Sequence, residues 1–214
     1  MISKFIRFLG FIWYYYIVDS ILAIAIGLVP ILLALAIFHI VRRRGSDEKM
    51  TKSHLFGSLA FCGALVAVLV VTGIPSVFEM RLEPDMNFVP FIDIVKVTFQ
   101  YFLNVMLFVP FGFLLPMLWR QFERWHVTVL CGFALSLFIE LAQLFSFRVT
   151  DIDDLIMNTL GSAVGYFLFR LVRRFFPKIS AASVERRGAW RWEPWLCLGG
   201  AIVSMMVIAP WIFR

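Results

Sequence analysis

Asn104-Val-Met-Leu-Phe-Val-Pro110-Phe-Gly112-Phe-Leu-Leu-Pro116 is the stretch whose reading decides how this chain folds. It carries no charge, and it is apolar on every side. A helix at the surface of a soluble domain shows a polar face; one that is apolar all round sits in hydrocarbon or deep in a core. The stretch belongs to a longer run, Thr98–Trp119, with Asn104 near its start. Two later runs repeat the pattern of a polar group close to one end. Glu140 and Gln143 stand late in Val127–Phe145, and Asn158 stands early in Leu155–Val172.

The composition points the same way. The chain is 61% hydrophobic and 16% charged, with a mean hydropathy of +0.87, more apolar surface than a soluble domain needs. Its 24 Phe and 7 Trp suit spans with aromatic edges. The expected architecture is an all-α, polytopic transmembrane helix bundle, a single membrane domain over residues 1–214. Six spans are expected, at about 17–41, 55–74, 98–119, 127–145, 155–172 and 194–213, each near the ~20 residues that cross a bilayer. The stretch Phe5–Tyr16 reads as an interfacial helix or an extension of the first span. Asp19 and the long span after it argue against a cleaved signal.

A net charge of +6 invites a nucleic-acid reading, but the basic residues are scattered through short loops between spans. Arg42, Arg43, Arg44, Lys49 and Lys52 follow the first span. Arg120 and Arg124 follow the third. Arg170 at the end of the fifth, and Arg173, Arg174, Lys178, Arg186, Arg187 and Arg191 after it, precede the sixth. These are fourteen of the 20 basic residues, and the positive-inside rule places them in the cytoplasm. The loops 75–97 and 146–154 and both ends of the chain then face outward. Cys62, Cys131 and Cys197 fall inside apolar runs without metal or disulfide spacing, and read as small buried hydrophobes. His39, His54 and His126 fall at cytoplasmic span ends and read as interfacial. No metal and no cofactor are expected.

In this orientation Asn104, Glu140 and Asn158 lie on the order of 5–9 Å inside the outer boundary. Polar groups in hydrocarbon are costly and usually face the bundle interior. Ser136, Glu140 and Gln143 follow at i, i+4 and i+7 on one helical face. A carboxylate there must be protonated, paired or hydrated, and Arg148 is the nearest counter-ion. Either Glu140 and Arg148 close the bundle as a structural pair, or Glu140 faces a ligand. Pro110 and Pro116 each free a carbonyl one turn back, and Asn104 is placed to serve one, to join two helices or to face a ligand. In Thr150-Asp-Ile-Asp-Asp154, Thr150 and Asp153 fit a capping box. The three acids Asp151, Asp153 and Asp154 also suit a divalent cation, but their spacing matches no metal loop. Asn158, Gly161, Ser162 and Gly165 form a small-residue stripe suited to close helix packing. Asn87-Phe-Val-Pro90-Phe91 reads as a short amphipathic segment on the outer leaflet.

This ordered set resembles the VanZ-like family of bacterial membrane proteins. The matching elements are Asn87–Phe91, Asn104 with Phe108-Val-Pro-Phe-Gly112, Ser136 with Glu140 and Gln143, then Arg148, Asp151, Asp153 and Asp154, then Asn158-Thr-Leu-Gly161. They cover residues 87–165, within a VanZ-like core at 87–172. The resemblance implies a multi-pass protein of the bacterial cytoplasmic membrane with a cell-envelope role. It also implies a link to teicoplanin susceptibility, from the association that gives the family its name.

Two readings of function follow. In the first, a non-enzymatic protein in the lipid bilayer binds an amphiphile at the outer leaflet, a lipid-linked envelope precursor or a glycopeptide. The amides and Arg148 would meet its headgroup, and Phe108, Phe111 and Phe138 would line an apolar approach. In the second, a membrane-embedded enzyme or lipid transporter uses Glu140 as acid or base, with the outer acids positioning a cation or headgroup. The inner half of spans three to five holds few polar residues, which weighs against transport.

Overall fold

A computed structural model describes residues 22, 24–37, 40, 51–82, 86–87, 89–91, 94–146, 150–178, 191–208 and 210. The helices are α1 (Ile24–Ile37), α2 (Lys52–Thr72), α3 (Ile94–Leu118), α4 (Trp125–Gln143), α5 (Ile152–Phe175) and α6 (Glu193–Val203). A wider π-type turn, Ser204–Ile208, prolongs α6. Among the described residues, four helices are long and apolar enough to cross a membrane: α2, α3 from Thr98, α4 and α5. The first and last expected spans correspond to the shorter apolar helices α1 and Glu193–Ile208. The expectation for Phe5–Tyr16 lies outside the described residues.

Large apolar side chains such as Phe56, Phe99 and Leu130 point away from the bundle, as a lipid-facing surface requires. Inside, Phe61, Leu65, Phe108, Leu118, Trp119 and Ile139 build a continuous core. Hydrophobicity alone cannot choose helix partners when lipid is as apolar as the helices, so steric fit decides. The closest fit is between α3 and α5, which run parallel. A Cβ at Gly161 would lie 2.3 Å from the Val105 carbonyl oxygen, and one at Gly165 would lie 2.2 Å from that of Val109. From the other side, a Cβ at Gly112 would lie 2.1 Å from the Ser162 carbonyl oxygen. The expected stripe on α5 is therefore the contact surface for α3. Ser162 also fills the space left by Gly132 of α4.

Both parallel helices are entered from a short strand. Residues Met86–Asn87 (β1) pair in parallel with Thr150–Asp151 (β2), Met86 opposite Thr150 and Asn87 opposite Asp151. This pairing lay outside the sequence expectation, since two residues carry no periodicity to read. It straps the segment before α3 to the start of α5. Helix α5 begins at Ile152, three residues earlier than expected. Its N-cap is Asp151, whose carboxylate accepts from the Asp153 N–H at 3.0 Å, in place of the expected Thr150. An aspartate cap satisfies an otherwise orphaned donor of the first turn.

Candidate functional site

The start of α5, the end of α4 and the first turns of α3 meet at one end of the bundle. The residues the sequence singled out there are joined chiefly to one another. Asp153 is almost fully buried, and its carboxylate accepts from the Phe91 N–H at 3.0 and 3.1 Å and from the Tyr101 hydroxyl. Phe91 takes a left-handed φ of 60° to present that N–H, and its ring stands edge-on to Tyr101. Such a conformation is costly for a bulky residue and persists where surrounding contacts hold it. Asn104 donates to the Asp154 carboxylate. This is a side-chain partner on α5, not a carbonyl freed by Pro110 or Pro116.

Glu140 is buried within the same network. One carboxylate oxygen accepts from the Asp151 N–H at 3.0 Å, and its backbone carbonyl accepts from the Thr150 hydroxyl at 3.1 Å. Arg148, the expected counter-ion, lies outside the described residues, and so does the Glu140–Arg148 pairing. One turn deeper, Asn158 donates to the Ser136 hydroxyl at 3.0 Å, between α5 and α4. Gln143 donates to the Thr72 carbonyl at 2.7 Å and ties α4 to the end of α2. Among the described residues, the side-chain amide oxygens of Asn158 and Gln143 are buried without a hydrogen-bond partner. Such atoms are uncommon in folded proteins and mark a place for a water or a ligand donor. Tyr101 was not singled out by the sequence. Its place one turn before Asn104 was the available sign.

Of the three phenylalanines expected to line an approach to this end, Phe108 is instead fully buried in the core. Phe111 and Phe138 line an apolar cavity between α4 and α6.

A second buried polar group occupies the opposite end. Glu193 opens α6 and is completely enclosed. It lies 2.7 Å from His54 Nε2, and it accepts from the Ser58 hydroxyl at 2.9 Å and from the Trp119 indole N–H at 3.1 Å. His54 is thus buried and bonded. A carboxylate withdrawn from water needs such donors, and the i, i+4 spacing of His54 and Ser58 aims both at it. A lone acid opening an apolar run, directly before Pro194, was the available sequence signal. Cys62 and Cys197 are buried free thiols, as expected, and Cys131 is half-buried.

Apolar helices of membrane-crossing length, packed through glycines and carrying buried polar networks at their ends, define an α-helical membrane protein. The VanZ/LLP1 family model matches residues 59–173, just over half the chain, and the protein belongs to that family. No curated protein and no solved structure matches it.

Proposed function

We propose that this protein acts in the bacterial cell envelope, in the cytoplasmic membrane, by binding the polar head of an amphiphile at the outer end of α3–α5. The observation that carries this reading is a buried polar network ringed by exposed apolar side chains. Phe78, Leu82, Met86, Val89, Phe91 and Phe145 all project at that end, and they hang on the same strand pair and turns. Apolar side chains at headgroup level suit an amphiphile whose tail stays in the bilayer. The network itself is rich in acceptors: Glu140, Asp151, Asp153, Asp154 and the two unpartnered amide oxygens. It therefore favours hydroxyl, amide or ammonium donors over phosphate. The sugar–peptide part of a lipid-linked precursor, or a lipoglycopeptide such as teicoplanin, carries such donors. Embedded enzyme or transporter chemistry is less well supported, because Glu140 and Asp153 accept backbone N–H bonds that hold the loop in place.

The test is binding of a fluorescent lipid-linked precursor and of labelled teicoplanin to the protein in nanodiscs, with teicoplanin susceptibility of a deletion strain measured alongside. Asn158→Leu removes the amide while keeping the branched shape and the number of side-chain heavy atoms, and weaker binding by tenfold or more, with normal abundance, is expected. Glu140→Gln keeps an acceptor for the Asp151 N–H and is expected to preserve abundance. Unchanged binding by Asn158→Leu, or no binding by the natural protein, overturns the proposal.

A further inference from the structure

The opposite end of the bundle carries features that the reading above leaves unused. Helices α4 and α6 flank a half-open cavity of about 270 Å³, floored by Phe61 of α2 and by Phe111 and Leu115 of α3. Its walls include Leu135 and Phe138 of α4 and Leu198 of α6, and the lining is almost wholly apolar. Trp195 forms its rim. The same Trp195 also lines a second, more polar cavity of about 180 Å³, shared with Gln121, Arg191 and Trp192. Trp195 thus lines both spaces, the first apolar and the second including Arg191.

The charge around the polar cavity is one-sided. Arg191 is exposed, and its carbonyl accepts from Gln121 Nε2 at 3.2 Å, which ties the loop before α6 to the turn after α3. Arg120 and Arg124 flank Gln121 in sequence and are exposed. The described acids at this end are engaged elsewhere: Glu193 with His54, Ser58 and Trp119, and Glu123 with Arg173. Trp125, Trp192 and Trp195 are all exposed here, at the level where indoles meet a membrane interface.

We infer that this pair of cavities binds one anionic phospholipid, with an acyl chain in the α4–α6 groove and the phosphate on Arg191 beside Gln121 and the two indoles. A guanidinium suits a phosphate by its fork of donors, and basic pockets between membrane helices select anionic headgroups. An apolar groove alone would take any lipid chain. The adjoining cation is what commits the site to an anionic one. The basic loops place this end at the cytoplasmic leaflet, away from the acceptor-rich network at the other end.

The experiment is native mass spectrometry of the full chain, released from detergent after titration with phosphatidylglycerol or with phosphatidylcholine of the same chains. At least tenfold preferential retention of one phosphatidylglycerol is expected. Arg191→Gln should remove that preference, and Arg191→Lys should restore part of it. Leu198→Trp, which fills the groove, should reduce retention of both lipids. Because a filled groove can disturb packing, a second measurement uses the natural protein. Phosphatidylglycerol brominated along its chains should quench tryptophan emission more strongly than phosphatidylcholine brominated in the same way, and Trp195→Phe should remove that excess quenching. Equal retention of the two lipids, a preference that survives Arg191→Gln, or excess quenching that is absent or unaffected by Trp195→Phe overturns the inference.

Discussion

Replacing Gly161 or Gly165 by alanine tests whether glycine contact holds α3 against α5 and thereby assembles the polar network at the start of α5. The new methyl carbons would lie 2.3 and 2.2 Å from the carbonyl oxygens of Val105 and Val109. Those oxygens belong to the α3 backbone, so no rotamer change relieves the clash. Helix α3 must withdraw by about 1 Å to reach ordinary contact distance. Overpacking of this kind costs about 1–3 kcal/mol, and a rigid backbone neighbour places it in the upper part of that range. Alanine returns up to about 1 kcal/mol through its higher helix propensity. The net expectation is a loss of about 1–2 kcal/mol per site, or about 2–8 °C in melting temperature for a chain of this size. The double variant should lose less than the sum, because one withdrawal of α3 accommodates both methyls. Gly63→Ala and Gly199→Ala are the controls: nothing lies within 4 Å of a Cβ at either position. They should leave melting unchanged or raise it slightly. Thermal unfolding in detergent, followed by light scattering and intrinsic fluorescence, measures all five. The same withdrawal would part Asn104 from Asp154 and Tyr101 from Asp153, so amphiphile binding should fall with stability in the α5 variants alone. If Gly161→Ala melts with Gly63→Ala, steric closeness is not what fixes this interface.

Two further outcomes follow from the buried pair and the charge pattern. Glu193→Leu removes the acceptor shared by His54, Ser58 and Trp119, and should cost about 3–5 kcal/mol in unfolding experiments, as breaking a buried pair does. Adding His54→Leu should recover a large part of the loss; no recovery would show that the pair is not the source. The topology is checked in a background lacking Cys62, Cys131 and Cys197. An impermeant thiol reagent applied outside intact cells should label a cysteine placed at Ser146 and miss one at Ser46, and the reverse pattern refutes the assigned orientation.

The membrane class and the sites of the helices were decided by the sequence alone. The reason is that hydrocarbon leaves few options: a run of about 20 residues without charge must close its own backbone hydrogen bonds, and a helix does so. The small stripe on α5 was legible for the same reason, since Asn158, Gly161, Ser162 and Gly165 recur at helical spacing within one element. Relations between elements were not legible. The parallel pairing of Met86–Asn87 with Thr150–Asp151 joins residues more than sixty positions apart through backbone groups that every sequence possesses. The partners of Asn104, Glu140 and Asp153 likewise came from the folded chain: Asp154, the Asp151 N–H, and Tyr101 with Phe91. Glu193 and His54, 139 positions apart, show the same limit. A sequence shows that a buried polar side chain needs a partner because desolvation makes isolation costly. Which partner it finds depends on how the helices pack, and here close glycine contacts and short loops decided that.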